Sequence, residues 1–137
     1  MIPVLSIFLS PNQTRTKLTY LSLSFLSPPR DATFYGGGGT GACGSPNDDS
    51  LSTVALFGVP DGSPKGAYND GVNCGKTITI KRIDTGVVAT ANITNACPSC
   101  GNSNNIDLSD SLFKEKLGGT AELGIMKVEW SCEDCVF

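Results

Sequence analysis

Apolar and polar residues alternate most cleanly in Lys76–Ile83 (KTITIKRI), with Ile78, Ile80 and Arg82 on one face and Thr77, Thr79 and Lys81 on the other. A period of two is that of a β-strand with one face on a core. The parity breaks at Ile83, which predicts a local twist or bulge. Asp84-Thr85-Gly86 is a hairpin turn signal, and Val87–Ile93 returns as the partner strand. Ser52–Phe57 (STVALF), β-branched and apolar, predicts another strand, as do Ala32–Tyr35, which runs into Gly36–Gly39, and Ile125–Trp130 (IMKVEW). Residues 58–73 are rich in Gly, Pro, Asn and Asp and read as loop. Ser109–Leu117 has helical spacing: Ser109 suits an N-cap, Leu112, Phe113, Lys116 and Leu117 follow, and Gly118-Gly119 stop it. Strands, a hairpin, one short helix and a closing strand predict a small barrel.

Composition narrows the function. A chain of 137 residues suits one domain. Sixteen glycines against 7% aromatic residues fit an all-β protein with many tight turns. Net charge is −3 and no basic stripe is present, which argues against nucleic acid as a partner, because neutralising phosphates needs clustered cations. Histidine is absent. That excludes a Ser-His-Asp or Cys-His hydrolase and any His-ligated catalytic metal. Acid–base chemistry would fall to carboxylates, Lys, Tyr or Cys.

Residues 1–30 hold two apolar stretches, Ile2–Leu9 and Leu18–Leu26, separated by Asn12, Arg15 and Lys17. Neither reaches the ~20 residues needed to span a bilayer. The segment reads as a poor signal peptide or a disordered N-terminal stretch, without a small-x-small cleavage site before Pro28-Pro29. The two prolines mark a boundary. The compact domain is expected over 31–130, with a cysteine-containing tail at 131–137.

Several motifs then recur in order: Asp31-Ala-Thr-Phe-Tyr-Gly36, GACG at 41–44, NCGK at 73–76, Ile93-Thr-Asn-Ala-Cys-Pro-Ser-Cys100, Asn105-Ile-Asp-Leu-Ser109, Leu112-Phe113 and Val128-Glu-Trp130. Their order and spacing resemble the double-psi β-barrel proteins: rare lipoprotein A, expansins, loosenin-like and barwin-like secreted proteins. The resemblance covers residues 31 to 130. It implies an all-β fold, a six-stranded double-psi β-barrel with one or two short helices, and a secreted, extracellular monomer. It also implies a shallow groove that binds cell-wall polysaccharide (cellulose, chitin or a related glycan) and loosens it without hydrolysis. The key groove acid of the resemblance falls on Asp107, within hydrophobic-Asp-Leu-Ser, and the first-strand threonine on Thr33, with Tyr35 beside it. The second aspartate of the group is here Asn95. An amide does not titrate, and a His-using transglycosylase has no His here, so no catalytic residue is assigned. Thr33, Asn95 and Asp107 are expected to compete for sugar hydroxyls, with Tyr35 or Tyr68 offering a flat face to sugar C–H groups. For each residue a bland role stands beside this one: helix support for Asp107, strand propensity for Thr33, burial for the tyrosines and a turn for Asn95.

Six cysteines, Cys43, Cys74, Cys97, Cys100, Cys132 and Cys135, suit a disulfide framework in an oxidising compartment. Two C-x₂-C pairs also match a zinc ribbon, which the disulfide reading outweighs, so no metal and no cofactor are expected. By the resemblance, Cys43 and Cys74 form the usual pair; the other four leave three pairings open. The competing functions are a barwin-like glycoside hydrolase, and a protein-directed inhibitor or host-directed effector on the same barrel. Residues 131–137 leave no room for a second carbohydrate-binding domain, which predicts weak affinity.

Overall fold

A computed structural model describes residues 29–101 and 104–137. The stretch read as signal peptide or disordered segment lies outside the described residues, apart from its last two. Six strands form one closed barrel: β1 (Arg30–Tyr35), β2 (Thr53–Phe57), β3 (Thr77–Arg82), β4 (Val88–Cys97), β5 (Ile106–Ser109) and β6 (Met126–Ser131). Their order around the barrel is β1-β5-β2-β4-β3-β6. Two pairs, β1 with β5 and β2 with β4, are parallel, and the others are antiparallel. Closure leaves no free sheet edge. No helix among the described residues is long and apolar enough to cross a membrane.

The alternation in β3 works as expected. Ile78 and Ile80 are fully buried, while Thr77 is exposed. Each such side chain contributes about 1.5–3 kcal/mol by leaving water. Val54, Leu56, Ile93, Leu108 and Val128 fill the same interior from neighbouring strands, and Leu112, Phe113 and Leu117 close it. β2 is buried on both faces, which explains its unbroken apolar run. Val54 and Leu56 point inward. Ala55 and Phe57 form a smaller cluster with Cys97 and Cys100, and Tyr35 packs on it.

Two local expectations are corrected. The parity break at Ile83 is not a bulge; β3 ends at Arg82, and the turn closes with Gly86 N–H donating to Arg82 O at 2.8 Å. The bulge lies in β4 instead. Val54 pairs with Ile93 but Ala55 with Asn95, so Thr94 is the extra residue. Ser109 is not an N-cap. It ends β5, where its Oγ donates to Leu51 O at 2.6 Å and accepts from Thr53 N–H at 3.1 Å. Asp110 and Ser111 are already helical and lead into the turn over Leu112–Lys116, with Leu117 N–H donating to Leu112 O.

All six cysteines are oxidised: Cys43–Cys74, Cys97–Cys100 and Cys132–Cys135. Both C-x₂-C pairs therefore close locally, and their sulfurs are spent on each other rather than offered as a thiolate set for zinc.

Candidate functional site

The site grows from the strand register. Thr33 of β1 pairs with Asp107 of β5, Asp107 with Ala55 of β2, and Ala55 with Asn95 of β4. Residues directly opposite each other in a sheet share a face. Val54, Leu56 and Leu108 fill the interior, so this row lies on the outside of the barrel. Alanine at position 55 keeps the middle of the row low.

Thr33 Oγ1 donates to Asp107 Oδ1 at 2.8 Å. Burial pushes the Asp107 carboxyl above its usual range; the Thr33 hydroxyl and the Leu108 N–H pull it back in part. The capping role for Asp107 is thereby displaced, since its partner is a strand neighbour and not a helix N–H. Asp107 and Thr33 line a cleft of about 230 Å³ together with Asp31, Asn105, Ile125 and the Cys97–Cys100 disulfide. Ile125 is 50% exposed and offers the cleft an apolar edge.

Asp31 is a site residue that sequence reasoning missed. It stands two residues before Thr33 on the same strand face, and its carboxylate is ion-paired with the Lys127 ammonium. Asp107 is therefore not the sole carboxylate of the cleft. The signal was present as the first acid of the opening motif, but only the pairing of β1 with β5 brings it to Asp107.

The other expected residues divide. Tyr35 does not line the cleft; it packs against the small cluster of Ala55, Phe57, Cys97 and Cys100, and its hydroxyl lies 3.3 Å from Thr53 Oγ1. Asn95 shares the row but its Oδ1 is occupied, accepting Ala42 N–H at 2.7 Å and Ala96 N–H at 2.9 Å. It brackets the 41–44 loop to the bulge. Gly41 makes this approach possible: a Cβ there would lie 2.6 Å from Thr94 O. Tyr68 is removed from the site altogether. It is 5% exposed, packs in the main core, and donates to Ala42 O at 3.4 Å. Burial first, then Asp61 and Asp70, push its phenol above the usual range. Trp130, half-buried, donates from Nε1 to Asn104 O at 2.9 Å.

No protein-family model matches the chain. No curated protein matches it either. Solved structures do. The expansin of Clavibacter michiganensis, as a mutant in complex with cellohexaose, is 22% identical with a TM-score of 0.59 over 76% of this chain and 48% of its own. The Streptomyces papain inhibitor is 25% identical with a TM-score of 0.54, covering 75% of this chain and 92% of its own. Cerato-platanin 3 from M. perniciosa is 14% identical with a TM-score of 0.53, covering 78% and 95%. The chain spans about half the length of the expansin structures it matches. With six strands closed in the order β1-β5-β2-β4-β3-β6, the chain has the double-psi β-barrel fold of the expansins.

Proposed function

We propose that this protein is a secreted, expansin-like binder of cell-wall polysaccharide that loosens its substrate without cleaving it. The observation that carries the reading is the Thr33–Asp107 pair, held on the outer face of the barrel in an open cleft. An ionised carboxylate accepts hydrogen bonds at roughly twice the strength of a neutral acceptor. Sugar hydroxyls are donors, so Asp107 competes for bonds that otherwise join glycan chains to each other. The expansin complex with cellohexaose supports a glycan as the ligand class, and three disulfides support an extracellular setting.

Two carboxylates in one cleft are also the raw material of a glycosidase, which needs an acid and a base on either side of the bond. Asp31 is the specific observation favouring that second reading. Against it, Asp31 is engaged by Lys127 and Asp107 by Thr33. Protein recognition on the same barrel is a third reading, favoured by the match in extent to the papain inhibitor. Sedimentation with insoluble cellulose and chitin, beside capture on immobilised papain, separates these. The proposal expects Asp107→Ala to lose sedimentation with glycan while remaining folded. Undiminished glycan binding by that variant, or tight papain binding with none to glycan, would overturn it.

A further inference from the structure

Strand β4 carries the triplet Asn92-Ile93-Thr94. Asn-x-Thr is the acceptor pattern for N-linked glycosylation of secreted chains. The pattern is short and recurs by chance, so its place in the fold has to admit a sugar. β4 alternates at this point: Ala91 and Ile93 are buried, and Asn92 between them is exposed. A slip of one residue would have turned the asparagine into the core, where a sugar has no room. We infer that Asn92 is an N-glycosylation site, and that the first sugar of its chain lies in the hollow beside it. The inference rests on the extracellular setting and not on polysaccharide binding.

Thr77 of β3 stands opposite Asn92, and its Oγ1 donates to Asn92 Oδ1 at 3.1 Å. That bond holds the carbonyl half of the amide toward β3 and turns Nδ2, the atom that takes the sugar, away from it. A hollow of about 440 Å³ lies between the loop before β2 and strands β2 and β4, and Asn92 and Thr94 both line it. Pro46 and Leu51 give it apolar walls, while Ser52 and Thr53 bring hydroxyl groups. Leu51 is 53% exposed. The acetamido sugar that begins an N-linked chain presents a methyl group and ring C–H surface to such walls, and hydroxyls to the polar side. No residue lines both this hollow and the Asp107 cleft, so a sugar on Asn92 leaves the cleft open.

The donor is a lipid-pyrophosphate-linked oligosaccharide. Asn92 Nδ2 bonds to the anomeric carbon of its first sugar as the bond from that carbon to the pyrophosphate oxygen breaks. The lipid pyrophosphate leaves with the electron pair, and the amide gives up one proton to a base of the transferase. The acceptor is the newly made chain, before β4 is paired on both sides by β2 and β3. Folding then places the modified side chain on the outer face.

The test is to secrete the full chain from yeast behind a host leader and to map its tryptic peptides by mass. Secreted and cell-retained protein are both mapped, before and after enzymatic release of N-glycans, which converts a linking Asn to Asp. Wild type is expected to carry glycan on the peptide holding Asn92, with Asp at that position after release. The other such triplet, Asn12-Gln13-Thr14, falls on a separate peptide and does not confuse the reading. Asn92→Gln and Thr94→Ala are each expected to lose the modification, and Thr94→Ser to keep it. In the glycosylated protein, nuclear Overhauser contacts are expected from the first sugar to the Leu51 methyls. An unmodified Asn92 in the translocated wild type would overturn the site, whatever sedimentation with cellulose shows. A modified Asn92 without contacts to Leu51 would overturn the seat in the hollow. Failure of the glycosylated and released forms alike to sediment with glycan would instead overturn the polysaccharide reading and leave the site standing.

Discussion

Replacing Thr33 with valine and Asp107 with asparagine is expected to move stability in opposite directions at neutral pH. Valine keeps the shape of Thr33 and its strand preference but removes the donor that sits 2.8 Å from Asp107 Oδ1. A hydrogen bond to a charged group is worth about 1.5–3 kcal/mol. Water still reaches part of this carboxylate, so the loss falls at the lower end, about 1–2 kcal/mol. For a domain of this size that lowers the melting temperature by roughly 4–10 °C. Asparagine at 107 keeps an acceptor for Thr33 and removes the charge that burial disfavours. Because burial raises the Asp107 pKa in the folded state, the native protein holds this proton more tightly than the unfolded chain. The stability that follows is fully present below the unfolded value of about 3.9 and is lost as pH rises through the folded value. Asp107→Asn is therefore more stable than wild type at about pH 7, and its advantage closes toward about pH 3. The deficit of Thr33→Val shrinks over the same interval, as a charge-assisted bond becomes a neutral one. Urea unfolding with the disulfides intact, followed by the fluorescence of the single tryptophan Trp130, reads both. Asp107→Asn less stable than wild type at neutral pH, or differences independent of pH in both variants, would refute the reasoning.

Other consequences are more compact. Replacing Cys43 and Cys74 together by serine opens a bridge of sequence separation 31 and is expected to cost about 3–4 kcal/mol by loop entropy, read as a lower urea midpoint. Asn95→Ala loses two backbone partners of Oδ1 and is expected to destabilise by about 1–3 kcal/mol. Asn95→Asp retains both bonds, and a reducing-sugar assay is expected to find no hydrolysis gained, since two N–H donors hold that position away from the cleft. Tyr68→Ala empties a buried core site and is expected to lose about 3–5 kcal/mol of stability.

Much of the barrel is legible in the residues because periodicity survives wherever one face meets the core. β3 reads directly, since Ile78 and Ile80 are inside and Thr77 and Lys81 are not. β2 reads as a strand because an apolar run too short for a helix is buried on both faces. β5 is hidden. It has four residues, carries Asp107 in its middle, and abuts the helical turn, so a longer helical pattern absorbed Ser109. The site divides along the same line. Thr33 and Asp107 were legible through their motifs, and the strand register brings them together. Asp31 was not, because its neighbours come from β5 and β6, far along the chain. Tyr68 sits in a stretch whose Gly, Asn and Asp content reads as solvated loop, yet its ring is swallowed by the core. Asn95 looks like a free amide until the 41–44 loop folds onto it, 53 residues away. Local pairing in each C-x₂-C could not be chosen before the barrel fixed which cysteines meet.

The central claim is binding without bond cleavage, and one measurement addresses both halves. Wild type, Asp31→Asn and Asp107→Asn are incubated with insoluble cellulose and chitin, and bound protein and newly formed reducing ends are quantified in the same tubes. Wild type is predicted to be retained on glycan with no reducing ends above the protein-free control, and Asp107→Asn to be retained less. Reducing ends that accumulate with wild type and vanish in both aspartate variants would make the pair a catalytic one and contradict the account.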